Sequence, residues 1–365
     1  MAPIPQTMSG ILIEETGGIE VLKWKTDLPV PGLKEGEVLV RNEFIGVNYI
    51  DTYFRTGLYP SPLPLITGKE AAGTIVALHP SVTATAATAP LQPGTRVAYI
   101  ADHTYASYTA VPATHLAVIP DSVSTQDACA CLLQGLTALT FAREIVVPPH
   151  GRTAAATGTS EGTGTGTGTG SQRPYHYALV HAAAGGTGGM LVQMLRAVHP
   201  DVVRVIGTAG GAGKCAVARE NGCEWVVDSS GPGGAEEVVR QVQEITGGRG
   251  ADVIFDGVGK ATFEGDLQMI ARKGTLAMFG NASGPAGPVD LFKLSAKNIK
   301  LMRPALFGYI ATPEERAAYT KELFDLLEAG KVKVKTHKIY ALKDAAQAHS
   351  DLEGKRTTGK LLLQV

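Results

Sequence analysis

Residues 177–189 read Y-A-L-V-H-A-A-A-G-G-T-G-G, and this stretch decides the fold. Tyr177 to His181 is an apolar run of strand length. Gly185, Gly186, Gly188 and Gly189 follow, and a helical pattern runs from Gly186 to Val198. Laid on the G-x-G-x-x-G fingerprint, the small positions fall on Ala183, Gly185 and Gly188. Small residues serve a tight turn, close approach of backbone N–H groups to a pyrophosphate, and close packing of helix on strand. The helix N-terminus adds partial positive charge where phosphates sit. The spacing predicts a dinucleotide site.

Outward from this turn the pattern alternates. Strands are predicted at Val202 to Ile206, Trp225 to Val227, Asp252 to Phe255, Thr275 to Phe279 and Ile299 to Met302. Helices are predicted between them at Ala212 to Asn221, Ala235 to Thr246 and Ala261 to Ala271. Such alternation implies βαβ units and a parallel sheet with helices on both faces.

The chain before the turn is different. Val38 to Arg41, Gly73 to Leu78, Arg96 to Ile100 and Leu116 to Ile119 are β-rich runs bounded by Pro-Gly pairs, which indicates a compact β domain. A helix is predicted from about Ser124 to Ile145, with Ser124 as N-cap and Asp127 in the first turn. Residues 153–172 are mostly alternating Thr and Gly with no apolar face, and read as a flexible surface insertion. The tail reads helix (Pro313 to Ala329), strand (Val332 to Ile339), helix (Lys343 to Leu352) and strand (Lys360 to Val365).

Composition narrows the function. The chain has 365 residues, 44% hydrophobic and 18% charged, with net charge −1. That suits a soluble globular protein and offers no electrostatic footprint for nucleic acid or an acidic membrane. No apolar run reaches the roughly 20 residues of a bilayer span. Cys129, Cys131, Cys215 and Cys223 form no CxxC pair, and the N-terminus lacks a basic leader pattern. A reduced, cytoplasmic protein without bound metal is expected. Cys129 and Cys131 lie two apart on a predicted helix and face different directions, so they read as packing residues. His181 reads as a residue satisfying a local hydrogen bond.

The strand ending at Ile206 is followed by Gly207, Thr208, Ala209 and Gly210, without the acid that often bonds the ribose of NAD. Lys214 follows. Absence of a carboxylate and presence of a cation favour a 2′-phosphate, so NADPH is expected over NADH.

The sequence resembles the zinc-independent quinone oxidoreductases, the zeta-crystallin-like branch of the medium-chain dehydrogenase/reductases. The resemblance covers nearly the whole chain. It is carried by N-Y-I-D-T-Y-F-R-T-G-L-Y-P (Asn48 to Pro60), H-A-A-A-G-G-T-G (His181 to Gly188), F-G-N-A-S-G (Phe279 to Gly284) and R-P-A-L-F-G-Y-I (Arg303 to Ile310). It implies an α/β fold in which a GroES-like β-rich catalytic domain (1–134 with 308–365) holds an inserted Rossmann NADPH-binding domain (135–307). The active site would lie in the interdomain cleft. It further implies a homodimer through the last Rossmann strand. Cofactor contacts are implied at Asn48, Asp51, Tyr53, Thr137, Gly185, Gly186, Thr187, Gly188, Gly207, Thr208 and Lys214. Phe279, Gly280, Asn281, Pro304 and Leu306 would flank the nicotinamide.

Two positions depart from the family pattern. A Tyr after the third Rossmann strand is Ser229 here, and a C-terminal Arg near the 2′-phosphate is represented by Lys355 or Arg356. Zinc alcohol dehydrogenases of the superfamily carry a Cys where this chain has Asn48, and Gly-His-Glu where it has Gly68-Lys69-Glu70. These replacements remove the Lewis acid, so the acceptor must already be electron-poor: a quinone or conjugated carbonyl. Tyr53 and Tyr59 are the candidate donors to the developing oxyanion. Glu70 reads as a structural carboxylate. The alternatives are a 2-enoyl thioester reductase of the same superfamily, with a Tyr acid at Tyr59, and a non-catalytic NADPH-binding protein of crystallin or RNA-binding type.

Overall fold

The computed structural model describes residues 3–82, 91–146 and 176–365. The 153–172 insertion lies outside them. The chain divides into two compact units. One comprises Met1–Thr140, Ala184–Gln193 and Ala305–Val365; the other comprises Phe141–Ala183 and Met194–Pro304.

The first unit opens with β1 (Thr7–Ile13), β2 (Lys23–Pro29), β3 (Glu37–Val47), helix α1 (Tyr49–Thr56), β4 (Leu65–Ile66) and β5 (Glu70–Leu78). It continues with β6 (Arg96–Ile100), β7 (Tyr108–Pro112), β8 (Leu116–Val118) and helix α2 (Thr125–Glu144), which passes into the second unit at Phe141. Strands β2-β1-β4 form a small antiparallel sheet.

The second unit holds β9 (His176–Val180), β10 (Val203–Ala209), α4 (Ala212–Glu220) and β11 (Trp225–Asp228), while α3 (Gly186–Val198), which follows β9, belongs to the first unit up to Gln193 and to the second from Met194. Then come α5 (Gly234–Ile245), β12 (Ala251–Asp256), α6 (Phe263–Met269), β13 (Ile270–Met278), α7 (Phe292–Ser295) and β14 (Lys300–Met302). The six strands run in the order β11-β10-β9-β12-β13-β14 and every pairing is parallel. This is the doubly wound arrangement, with its order reversing between β9 and β12. Its strands are Val- and Ile-rich because both faces are covered; Val203, Val205, Ile206, Val253, Ile254 and Phe255 are all buried.

The chain closes with α8 (Leu306–Tyr309), α9 (Pro313–Glu328), β15 (Thr336–Ala341), α10 (Ala345–Glu353) and β16 (Lys360–Gln364). Helix α9 starts at a capping box: Glu315 N–H donates to Thr312 Oγ1 (3.1 Å) while Thr312 N–H donates to Glu315 Oε2 (3.0 Å). The last strand, β16, lies between β15 and β3 in a seven-stranded sheet that continues through β5, β6 and β8, with β7 also on β3. The architecture is therefore α/β, with a β-rich unit and a Rossmann unit. Among the described residues no helix is long and apolar enough to cross a membrane.

Several elements differ from the sequence expectation for identifiable reasons. Strand β3 extends six residues past Arg41, because a bulge between Asn42 and Phe44 breaks the alternation that marks a strand. Strand β2 was not expected: it is mostly exposed and has no buried face to pattern. The sequence helix ending at Ala271 stops at Met269, and β13 begins at Ile270 with a shift in its pairing to β12; Lys273 there has φ +66°. Ser124 does cap α2, accepting from Asp127 N–H at 3.0 Å.

Candidate functional site

The turn after β9 is set by its neighbour β10. Ala183 N–H donates to Thr208 O (2.9 Å) and Ala182 N–H to Thr208 Oγ1 (3.3 Å). Ala182 takes φ +53°, a left-handed conformation that a side chain disfavours. Gly207 is glycine because a Cβ there would lie 2.8 Å from Ala183 Cβ and 2.5 Å from Cys223 Sγ. The turn thus sits tight against β10 before Gly185 and Gly186 open the helix. The first helical bond of α3 is Gly189 N–H to Gly185 O (2.8 Å). The N–H groups of Gly186, Thr187 and Gly188 therefore precede the intrahelical ladder. Gly185, Gly186 and Thr187 are half-buried, with no large side chain in the turn. Donors without intrahelical partners, at a positive helix end and among small residues, fit the pyrophosphate of a dinucleotide.

The adenosine-end candidates separate on inspection. Thr208 is buried, and its hydroxyl serves the turn and His181 Nδ1 (3.0 Å). Lys214 is half-buried in the first turn of α4, whose start needs Gly211 at φ +85°. An acid that sequence reasoning missed lies close by. Asp228 ends β11 opposite Ala209 and accepts from Gly211 N–H (2.9 Å), Ser230 N–H (2.9 Å) and Ser230 Oγ (2.7 Å). Those backbone bonds hold its pKa below the usual carboxylate range. The missing signal was strand pairing: Asp228 is far from the fingerprint in sequence but lies opposite Ala209 on the neighbouring strand. Arg356 pairs with Asp351 (2.8 Å), and Lys355 has φ +54°.

In the other unit the Asn48–Pro60 string forms α1. Asn48 N–H donates to Asp51 Oδ2 (2.8 Å), and Gly57 ends the helix at φ +78°. The Asn48 side chain is buried; its Nδ2 donates to Glu70 Oε1 (2.8 Å) and its Oδ1 accepts from Lys360 Nζ (2.7 Å). Lys360 also pairs with Glu70. Lys69 pairs with Asp102 and lies 4.3 Å over the Phe54 ring. Tyr53 and Tyr59 are brought together, ring centroids 5.2 Å apart and edge-on, and both are partly exposed. Thr137 on α2 is buried and donates to Leu133 O at 2.7 Å.

Asp51 is fully buried. Its Oδ2 accepts from Tyr105 Oη (3.1 Å), while Oδ1 has no hydrogen-bond partner among the described residues. Burial raises its pKa to about 7, against the lowering effects of Asn48 N–H, Lys360 and Tyr105. Tyr105 Oη meets His349 Nε2 (3.0 Å), and His349 Nδ1 meets Arg55 (3.2 Å). Burial and the Arg55 charge push His349 down to about 3, so the imidazole is neutral. A guanidinium can only donate, so Nδ1 accepts and Nε2–H points to Tyr105.

The 279–281 segment leaves the C-terminal end of β13. Gly280 is glycine because a Cβ would lie 2.3 Å from Gly257 O. Phe279 packs edge-on against Phe141 at 5.5 Å. Arg303 donates to Met278 O (2.9 Å) and Gly280 O (3.1 Å), bracing the segment, and Asn281 is half-buried beside it. Pro304 is buried in the Rossmann unit and Leu306 is buried in the other. Among the described residues no group of His, Cys, Asp and Glu gathers to hold a metal ion.

Two family models match: the alcohol dehydrogenase GroES-like domain over residues 34–121 and the zinc-binding dehydrogenase domain over residues 186–328. A probable quinone oxidoreductase of Schizosaccharomyces pombe is 37% identical over 360 residues, covering 98% of this chain and 97% of that protein. The solved quinone oxidoreductase of Escherichia coli, complexed with NADPH, superposes with TM-score 0.83 at 34% identity, covering 98% of this chain and 100% of that one. A mycobacterial protein, also complexed with NADPH, gives TM-score 0.84 at 38% identity over 98% and 100%. The chain belongs to the quinone oxidoreductase family of the medium-chain dehydrogenase/reductases.

Proposed function

We infer that this protein is an NADPH-dependent quinone oxidoreductase. The observation that carries the reading is the coincidence of a full-length match to quinone oxidoreductases with a glycine turn whose amides fit a dinucleotide. When bound, NADPH would supply reducing equivalents from nicotinamide C4; a hydride with one proton would balance the reduction of a quinone to its quinol.

The chain's own residues bind and orient. Gly185, Gly186, Thr187 and Gly188 hold the pyrophosphate, and Gly207, Thr208 and Lys214 shape and charge the adenosine end. Asn48, Asp51, Tyr53 and Thr137 are proposed as cofactor contacts, and Phe279, Gly280, Asn281, Pro304 and Leu306 as residues that flank the nicotinamide. Tyr53 and Tyr59 donate from Oη to the oxygen on which negative charge develops.

No zinc takes part in this proposal. The chemistry of the donor set supports that: Asn48 is spent on Glu70 and Lys360, and Lys69 carries an ammonium that faces Asp102. The domains are proposed as 1–134 with 308–365 and 135–307. We further propose a cytoplasmic homodimer through β14, the edge strand of its sheet; Leu291 and Phe292, shortly before it in sequence, are 71% and 85% exposed.

The test is loss of nicotinamide absorbance with phenanthrenequinone, para-benzoquinone and crotonyl-CoA as acceptors. Turnover with the quinones supports the reading. Turnover with crotonyl-CoA alone reassigns the chain to thioester reduction, and turnover with none leaves a binding protein.

A further inference from the structure

His181 follows β9 directly and is buried. Its Nε2 meets Asp266 Oδ1 on α6 at 2.7 Å and its Nδ1 meets Thr208 Oγ1 on β10 at 3.0 Å. Its partners are 85 and 27 residues away, so the bonds are not local ones. Thr208 holds the turn twice, through its carbonyl to Ala183 N–H and its hydroxyl to Ala182 N–H. The residue in the left-handed conformation is Ala182 itself. The N–H groups of Ala182 and Ala183 are therefore both held by one threonine, while Asn221 Nδ2 takes Ala183 O (2.9 Å), and the threonine's hydroxyl is aimed by one histidine.

The hydrogens can be assigned. A carboxylate only accepts, so with Asp266 ionised Nε2 carries hydrogen. Ala182 N–H occupies one lone pair of Thr208 Oγ1. With Nδ1 bare, Thr208 donates its own hydrogen to His181; with Nδ1 protonated, Thr208 accepts from both sides. In either state the hydroxyl is left with an acceptor site for Ala182. Burial opposes charge on His181, but the Asp266 carboxylate and then Asp256 outweigh it and hold the imidazole above its usual range. Asp256 is occupied with Val258 N–H (2.6 Å), Gly259 N–H (3.1 Å) and Thr262 Oγ1 (2.9 Å). Asp266 Oδ2 has no hydrogen-bond partner among the described residues. Burial raises Asp266 to about 6, against the lowering effect of His181, and the pair is thus a buried ionisable element that no chemical step in the proposed reaction uses.

We propose that His181, held by Asp266, is a positioning residue for the dinucleotide: through Thr208 it fixes the Ala182–Gly185 turn that leads the first amides of α3 to the pyrophosphate. The inference rests on the reading of this chain as an NADPH-binding reductase. His181 touches no reacting atom in it.

The test is NADPH affinity by fluorescence titration, with melting temperature measured alongside. Thr208→Val keeps the shape and removes the hydroxyl; its dissociation constant should rise about tenfold, the worth of roughly one hydrogen bond. Thr208→Ser should restore most of the affinity. The double variant His181→Leu with Asp266→Leu exchanges a buried ionisable pair for apolar volume, a change that is often neutral in stability. It should melt near the wild type and still bind NADPH about tenfold more weakly. Wild-type affinity in Thr208→Val or in the double variant overturns the proposal. So does a loss in Thr208→Val that Thr208→Ser does not repair. If wild-type protein fails to bind NADPH in the same titration, the functional reading falls and this inference falls with it.

Discussion

The Lys360 ammonium lies against the Glu70 carboxylate with the two side chains 1% and 0% exposed. Every oxygen of the cluster is used: Glu70 Oε1 takes Asn48 Nδ2 and Lys360, and Glu70 Oε2 takes Leu133 N–H at 2.7 Å. Removing one partner of such a pair strands the other's charge. Lys360→Met should therefore lose about 3–5 kcal/mol in urea denaturation. Adding Glu70→Gln should recover a large part, since the buried charge is gone. A loss below about 1 kcal/mol in the single variant would show that the pair is not isolated from water.

Asp51 gives the protein a pH dependence of definite sign. Its folded pKa is raised from 3.8 to about 7, chiefly by burial. Between those values the folded chain keeps a proton that the unfolded chain has released. Stability must then fall as pH rises through this window. Asp51→Asn removes the titration while still accepting from Asn48 N–H and Tyr105. The variant should be less pH-sensitive, and more stable than wild type near pH 8 by on the order of 2 kcal/mol. Parallel melting curves for the two proteins from about pH 5 to 8 would rule this out.

Two glycines should respond in opposite directions. A Cβ on Gly280 would lie 2.3 Å from Gly257 O, a backbone atom that cannot swing aside. Gly280→Ala should cost about 2 kcal/mol or more by forcing apart the ends of β12 and β13. A Cβ on Gly213, within α4, meets nothing within 4 Å. Gly213→Ala should stabilise the NADPH-free protein by about 0.5–1 kcal/mol. Thermal melts of the two variants check both signs.

Lys214 should set the choice between NADPH and NADH. Lys214→Ala should lower the NADPH preference about tenfold, through loss of one charge-assisted contact to a phosphate. The ratio of kcat/KM for the two cofactors measures it. An unchanged ratio would move the assignment to another cation.

Much of the Rossmann unit is legible in the sequence because buried parallel strands are uninterrupted Val and Ile runs between amphipathic helices. Helix α3 spans Gly186–Val198 as its pattern indicates, and β6 spans Arg96–Ile100 likewise. Strand β2 and the far half of β3 are not legible, since one has no buried face and the other is bulged. The glycine turn is legible as a motif. What holds the turn is not, because Thr208 and Asp266 meet His181 only through strand pairing and helix packing. Tyr105 and His349 are hidden for the same reason, since their partners are remote in sequence; Asp228 binds Gly211 and Ser230 nearby, but only the pairing of β11 with β10 sets it opposite Ala209.

Strand β16 is the last element of the chain, yet it lies inside its sheet, between β15 and β3. It brings Lys360 to Asn48 across 312 residues of sequence. On a ribosome the early strands emerge long before the strand that completes them. The β-rich unit must therefore wait, with β3 open over Phe44–Val47 and the Glu70 charge uncompensated, until β16 is made. The six parallel strands all precede β15 and β16, so the Rossmann sheet can close first. Vectorial synthesis thus favours an order in which the inserted unit folds ahead of its host, and truncation near the C-terminus should harm the first-made unit most.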